Sequence, residues 1–406
     1  MTEHRAVLLE AIDPGARTVF KDAGFAVETF PGTTGPTELA EFAQQATVLG
    51  VRSDPKVTAE VLAQGHNVQA IGCYCVGVNQ VDLPAATERG IPVFNSPYDN
   101  GRSVAEMVMA NTIALLRGIP GHNTSMHDGI WSKSASGSHE VRGKTMGIIG
   151  FGNIGEQVGA LSEVIGMQVV YYDVAERRPI GNTRPVGLDT LLVESDVITV
   201  HVSGGQAKPV VGTEEFGLMK RGVHFINASR ADAVDYTALQ DALDRGVVAG
   251  AALDVFPAEP GAKGQPFDSP FRGDPRVILT PHVGGSTVEA QVRTGHSVSQ
   301  KLVTYIRTGS TDGAVNMPNV NPGPVPADTT RIAYFHQNQR GANAAFSGLL
   351  EQSGYNIAGE QLKTRGSVGY AVADIENGQS PAALRELQLA LNGLDGAIRA
   401  RILTSY

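Results

Sequence analysis

Three side chains able to grip an anion or move a proton stand just beyond predicted strand ends. Arg230 follows HFINAS, Glu259 follows AGAALDVFPA, and His282 follows RVILTP. An imidazole exchanges a proton near neutral pH, which suits His282 to acid–base work. A carboxylate at Glu259 would orient that ring and raise its pKa. A guanidinium at Arg230 would hold a carboxylate or a developing carbonyl oxygen through paired N–H donors. Taken singly, each has an ordinary structural explanation: an ion pair, a solvated loop acid, a hydrogen-bonded histidine beside Pro281. Their joint placement at strand ends favours the catalytic reading. His201 also follows an apolar run, VITV, but has no equivalent partners and reads as structural or cofactor-adjacent.

The element that gives this trio a reaction is Lys144 to Asp173. Gly150, Gly152 and Gly155 have G-x-G-x-x-G spacing, after the apolar run Met146 to Ile149 and before the helical pattern Ile154, Val158, Leu161, Ile165. The glycines allow a tight turn and close approach of a pyrophosphate to a helix N-terminus, and Asp173 can accept hydrogen bonds from a ribose diol. Asp173 would repel a 2′-phosphate, so NAD is expected over NADP, a preference that Arg177 and Arg178 weaken a little. Hydride transfer between NAD and an alcohol requires a proton acceptor and a group that polarises the substrate. His282 and Arg230 fill those roles.

The elements around these residues alternate strand and helix. AVLLEA, AVETF, TVLGVR, VQAIGCY and IPVFNSP read as strands, separated by helices such as GARTVFKDAG, TELAEFAQQ and TAEVLAQG. Such alternation implies a parallel sheet with helices on its faces. The helix RSVAEMVMANTIALLRG, with Ser103 and Glu106 in capping-box register, is apolar nearly all round and should be buried against another domain or subunit. Six strands are expected around the fingerprint, at Gly147, Val169, Val197, His224, Gly250 and Val277. Ser286 and Glu289 should cap the helix STVEAQVRTGHSVSQKLVTYIRTG, and a Pro/Gly/Asn-rich linker follows it. The C-terminal segment reads βαββαβ, the split βαβ pattern. The fold class is therefore α/β: two Rossmann-like, doubly wound parallel-sheet domains plus a ferredoxin-like C-terminal domain. The boundaries expected are 1–99 with 285–328 for substrate binding, 100–284 for NAD, and 329–406 for regulation.

Composition narrows the partners. At 406 residues the chain is too long for one core, and its 48 glycines suit short α/β connections. A net charge of −9 without a basic block disfavours nucleic acid and anionic membranes. Cys73 and Cys75 read as small buried residues in a reducing compartment. Neither a secretory leader nor a membrane span is apparent, so a cytoplasmic location is expected.

GFGNIG with Asp173, INASR, ALDVFPAEP and LTPHVGGST together resemble the D-isomer-specific 2-hydroxyacid dehydrogenases. NQVDLPAATERGIPVFNSPYDNGRSVAE, HDGIWSKSASGSHEVRGKTMGIIGFGNIG and AVNMPNV narrow the likeness to members with a C-terminal ACT domain. The resemblance spans essentially the whole chain. It implies oxidation of 3-phospho-D-glycerate to 3-phosphohydroxypyruvate, the first step of serine synthesis, with Arg230, Glu259 and His282 catalytic. It implies cofactor contacts at Gly150, Gly152, Asn153, Ile154, Gly155, Asp173, His201, Ala228, Ser229, Asp254, Gly284 and Gly285. Arg52, Ser53, Asn100 and Lys133 would hold phosphate and carboxylate. His336, Asn338 and Asn356 would bind L-serine as a feedback inhibitor in a homotetramer, with Trp131 at a subunit contact.

Several positions depart from the family pattern. Asp54 stands where a second basic residue is expected and would repel a phosphate. Ala231 replaces a glycine after Arg230, which would strain a left-handed backbone. Ser203 replaces a proline and loosens a cofactor loop. Gln339 and Arg340 replace an Arg-Pro pair near the effector residues. Rival readings are reduction of another 2-oxo acid, such as 2-oxoglutarate, a weakly active NAD-linked sensor, or a C-terminal domain used only for assembly.

Overall fold

The computed structural model describes residues 4–32, 35–131, 133–205, 207–260, 264–376 and 379–404. The chain forms two compact units, Met1–Asp99 with Gln291–Tyr406, and Asn100–Ala290.

The first unit begins β1 (Arg5–Leu9), α1 (Pro14–Asp22), β2 (Ala26–Phe30), α2 (Pro36–Gln45), β3 (Val48–Val51), α3 (Ala59–Gln64), β4 (Ala70–Cys73), α4 (Leu83–Glu88), β5 (Val93–Phe94). Its sheet is parallel, in the order β2-β1-β3-β4-β5. Helices cover both faces, so β3 and β4 are apolar and buried at every position. Asp13, Thr58 and Asp82 cap α1, α3 and α4 by accepting backbone N–H groups. The short α4 was not among the predicted helices.

The second unit contains α5 (Gly101–Leu116), α6 (Ile119–His127), β6 (Thr145–Ile149), α7 (Asn153–Val164), β7 (Gln168–Tyr172), β8 (Arg184–Pro185), α8 (Leu188–Glu194) and β9 (Val197–Val200). It continues with α9 (Thr213–Leu218), β10 (Val223–Asn227), α10 (Tyr236–Asp244), β11 (Val248–Leu253) and β12 (Val277–Leu279). The sheet runs β12-β11-β10-β9-β6-β7-β8. Strand order reverses between β6 and β9, the switch point at which a doubly wound sheet binds its ligand. Six strands match the expectation; β8, two residues at the edge, is an addition too short to carry a periodicity.

Two caps differ from expectation. α5 starts after Asn100, so Ser103 lies inside the helix and its Oγ is 2.8 Å from Thr287 Oγ1. Glu106 pairs instead with Arg102. The next helix, α11 (Val288–Thr308), is capped by Thr287, whose Oγ1 accepts the Ala290 amide at 3.2 Å, rather than by Ser286. Within its own unit α5 packs against α7, β10 and β11.

The remaining elements are β13 (Thr329–Gln337), α12 (Ala342–Gln352), β14 (Ile357–Arg365), β15 (Val368–Glu376), α13 (Pro381–Asn392) and β16 (Ala397–Thr404). They make an antiparallel sheet in the order β14-β15-β13-β16, the predicted split βαβ arrangement. One face packs on α12 and α13 through Tyr334, Phe346, Leu350 and Leu391. The other joins the core of the first unit, where Phe335, Tyr370 and Leu403 meet Leu302, Tyr305 and Ile306 of α11. Arg331 and Arg401 donate to the Thr308 and Ile306 carbonyls, each at 3.0 Å, satisfying acceptors at the end of α11. Asp374 neutralises the buried Arg331 at 2.7 Å.

Candidate active site

Gly150 closes the turn after β6 with φ 93°, and a Cβ there would lie 2.4 Å from the His201 carbonyl oxygen. Gly155 packs α7 onto the turn so closely that a Cβ would meet the Gly150 oxygen at 2.2 Å. Gly152 differs: a Cβ would meet nothing within 4 Å. Open space at the N-terminus of a twelve-residue helix is where a pyrophosphate would approach. Asn153 opens α7 with a buried Nδ2 that has no hydrogen-bond partner, and Ile154 follows it half-buried.

Asp173 ends β7 with Oδ2 on the Phe151 amide and Oδ1 on the Ala175 amide, both at 2.8 Å. The acid expected for the ribose thus also clamps the glycine turn, and Arg177 Nε lies 3.5 Å from it. His201 is half-buried, with Nε2 2.9 Å from Thr199 Oγ1 and a buried, unpartnered Nδ1. Burial drives its pKa down to about 3, so the ring is neutral. The turn, the acid and the open approach fit a dinucleotide.

The three candidate catalytic residues all belong to the second unit. Glu259 Oε2 lies 2.8 Å from His282 Nδ1, and Glu259 Oε1 accepts the Phe256 amide at 3.0 Å. The carboxylate hydrogen bond raises the His282 pKa, outweighing burial; Asp254 adds to the rise and Arg230 opposes it. Burial pushes Glu259 upward, but the bonds from His282 and Phe256 prevail and hold its carboxyl below the ordinary value. With Nδ1 engaged by the carboxylate, Nε2 is the nitrogen available to a substrate.

His282 has φ 52°, a left-handed conformation uncommon for a non-glycine residue. Asp254 explains how it is held. The Asp254 side chain is buried, and its Oδ1 accepts from Thr280 Oγ1 at 2.6 Å and the Val283 amide at 2.9 Å. Its Oδ2 accepts the Gly284 amide at 2.8 Å. Expected as a cofactor contact, Asp254 braces the loop that carries His282. A Cβ at Gly284 would crowd Asp254, and one at Gly285 would lie 2.2 Å from Asn100 Nδ2.

Arg230 leaves β10 in extended conformation, with Nη1 donating to the Ser229 carbonyl at 2.7 Å. Asn227 holds this turn: Nδ2 donates to the Arg230 carbonyl at 3.0 Å, and Oδ1 accepts from Ser229 Oγ at 3.0 Å. Ala228 precedes it, nearly buried. Asn227 lies within the INASR motif, which signals the turn but not this job. Tyr236, whose hydroxyl donates to the Val255 carbonyl at 2.5 Å, carried no signal. Ala231 starts a 3₁₀ turn with an ordinary negative φ, so the strain expected there does not arise. The loop containing Ser203 is anchored by Asp232, which accepts the Gly205 amide at 2.6 Å.

Arg52 is half-buried and Ser53 exposed, just beyond β3 in the first unit; Lys133 is exposed in the second unit, where Asn100 immediately precedes α5. The residues expected to bind an effector are separated within one chain. His336 and Asn338 lie at the end of β13 that pairs with Gly369 and Val368, and Asn338 Nδ2 donates to the Gly366 carbonyl. Asn356 precedes β14 at the opposite end of the sheet and donates to Glu376 Oε1 at 2.7 Å. Gln339 is tied to Asp395 at 3.1 Å.

The family profile described as "D-isomer specific 2-hydroxyacid dehydrogenase, NAD binding domain" matches residues 109–284. The chain is 44% identical over 401 residues to D-3-phosphoglycerate dehydrogenase of Escherichia coli strain K12, covering 98% of this chain and 97% of that protein. It is 40% identical to the protein of the same name from Dictyostelium discoideum, with the same coverage. Among solved structures, D-lactate dehydrogenase from Aquifex aeolicus with NAD and lactic acid superposes with a TM-score of 0.63. That match has 26% identity and covers 74% of this chain and 95% of the other. The chain therefore belongs to the D-isomer-specific 2-hydroxyacid dehydrogenase family, as an NAD-dependent enzyme of 2-hydroxy acids.

Proposed function

We propose that the chain oxidises 3-phospho-D-glycerate to 3-phosphohydroxypyruvate in the cytoplasm. The single observation that carries the chemistry is the 2.8 Å pairing of His282 with Glu259 on the rim of the dinucleotide sheet. The near-full-length likeness to proteins named for this substrate supports the choice of substrate.

Bound NAD supplies the hydride acceptor. His282 Nε2 takes the hydroxyl proton as the C–H bond breaks, and Glu259 stabilises the imidazolium so formed. Arg230 holds the substrate carboxylate and the carbonyl oxygen as it develops. Asp254 keeps the His282 loop in place. Arg52, Ser53, Asn100 and Lys133 bind the phosphate and carboxylate. The glycine turn, Asn153, Ile154, Asp173, His201, Ala228, Ser229, Gly284 and Gly285 surround the cofactor.

L-serine is proposed as a feedback inhibitor bound by His336, Asn338 and Asn356. Because Asn356 lies across the sheet from the other two, each site needs residues from two copies, in keeping with a homotetramer. Trp131, 78% exposed beside exposed Ile130, suits a second contact between copies. Residues 329–406 would then form the regulatory domain. A spectrophotometric assay of NAD reduction with 3-phosphoglycerate, with and without serine, tests the whole reading. Asp54, exposed beside Arg52 and Ser53, favours a second reading, reduction of 2-oxoglutarate. A large kcat/KM advantage for 2-oxoglutarate would establish it in place of the first.

A further inference from the structure

Immediately beyond β1, Glu10 and Ala11 adopt φ 60° and 49°, two successive non-glycine residues in the left-handed region. L-residues enter this region at a cost, and such residues persist where the surrounding structure holds them. Here the turn carries the Glu10 side chain to the carboxyl end of the neighbouring strand β3. Glu10 Oε2 accepts the Arg52 amide at 2.6 Å, and Oε1 accepts the Asp54 amide at 3.0 Å. From another side, Gln80 Nε2 donates to the Arg52 carbonyl, and Cys75 Sγ lies 3.5 Å from the same oxygen. Both polar groups of the Arg52 backbone are thus held by side chains. The amides of Arg52 and Asp54 are engaged by Glu10, and the loop so fixed carries the Arg52 and Ser53 side chains, which can meet an anion. Strand carboxyl ends are where open α/β sheets bind their ligands.

We propose that Glu10 is a positioning residue for the substrate: it fixes the Arg52–Asp54 backbone so that the Arg52 and Ser53 side chains meet the anionic groups of the hydroxy acid. This rests on the assignment of Arg52 and Ser53 to substrate binding made above. The geometry requires a carboxylate of glutamate length. In Glu10→Gln one of the two acceptors becomes an NH₂ group facing an N–H, and in Glu10→Asp the reach is shortened.

The test is steady-state kinetics on the full chain with NAD and 3-phosphoglycerate, for wild type, Glu10→Gln, Glu10→Asp, Arg52→Ala and Glu10→Gln/Arg52→Ala. Loss of one charge-assisted hydrogen bond should raise the KM for 3-phosphoglycerate about tenfold in Glu10→Gln, leaving kcat and the KM for NAD unmoved. Glu10→Asp should raise it by less. The double variant should lose less than the two single losses combined, because both act through one loop. Ala11→Gly, which relieves the neighbouring strain, should leave the kinetics as in wild type. If Arg52→Ala raises the KM while Glu10→Gln and Glu10→Asp do not, or if the KM for NAD moves equally, the role of Glu10 is overturned. If Arg52→Ala leaves the KM unchanged, the assignment of the loop to substrate fails and the Glu10 proposal falls with it. Should Glu10→Gln fail to fold, Glu10→Asp carries the same comparison.

Discussion

His282 Nδ1 meets Glu259 Oε2 at 2.8 Å, although the two side chains come from loops beyond different parallel strands, β11 and β12. The carboxylate raises the imidazole pKa above its ordinary value of 6.5. For oxidation the unprotonated ring is the competent form, so kcat/KM should rise with pH through that raised pKa. Glu259→Gln removes the charge, and the rise should move to lower pH on a plateau reduced by about 10² or more. A pH–rate profile with an unmoved midpoint in the variant would contradict the pairing. The same shift has a sign for stability. A raised histidine pKa adds stability below the unfolded value, and that is lost as pH rises through the folded one. Glu259, held low, contributes above its unfolded pKa and loses that as pH falls. With side chains 49% and 36% exposed, water screens the pair, and the change in Tm should be small.

Asp254 supports His282 from behind, through Thr280, Val283 and Gly284. In Asp254→Asn one acceptor becomes a donor facing a buried N–H or O–H. Leaving such a group unsatisfied should cost about 1–3 kcal/mol in chemical denaturation, together with a fall in kcat. An unchanged denaturation midpoint would show that the clamp carries no strain and no support.

The fingerprint glycines should separate by function. Gly150→Ala places a methyl against the His201 carbonyl in a left-handed backbone, and the domain should lose stability. Gly152→Ala meets no protein atom, so the fold should survive while NADH binding weakens. Thermal melts and NADH fluorescence titrations read the two effects. Equal NADH affinity in Gly152→Ala and wild type would argue against a pyrophosphate at this turn.

Asn338 and Asn356 occupy opposite ends of the C-terminal sheet. Asn338→Ala and Asn356→Ala should each abolish serine binding in calorimetry. Tetramers reassembled from a mixture of the two variants should recover part of it, because a site between copies can draw both asparagines from intact sides. No recovery in demonstrably mixed tetramers would count against a shared site, and no binding by wild type would leave the domain as an assembly module.

What the chain disclosed in advance follows from how local each signal is. The strand-end positions of Arg230, Glu259 and His282 were legible because each sits beyond a strand whose apolar run is readable on its own. The GFGNIG turn was legible because its glycines answer to steric demands within a few residues. The bracing role of Asp254 was not legible, since its bonds to Thr280, Val283 and Gly284 depend on how β11 and β12 lie together. Ser103 and Ser286 fit a capping pattern in sequence, but in space Ser103 lies inside α5 and Thr287 caps α11. Glu10 gave no signal, because its left-handed backbone and its partners more than forty residues away appear only when β1 and β3 are paired. The separation of Asn338 from Asn356 is likewise a matter of antiparallel register.

The central claim is that His282, held by Glu259, takes the hydroxyl proton of 3-phosphoglycerate as hydride leaves for NAD. The direct measurement is initial-rate NAD reduction with 3-phosphoglycerate by wild type and His282→Ala, with NADH affinity measured for both. The expected result is turnover by wild type, a loss of about 10²–10⁴ in kcat for His282→Ala, and similar NADH affinity in the two. Turnover that His282→Ala leaves unchanged, or no turnover by wild type above that variant, would contradict it.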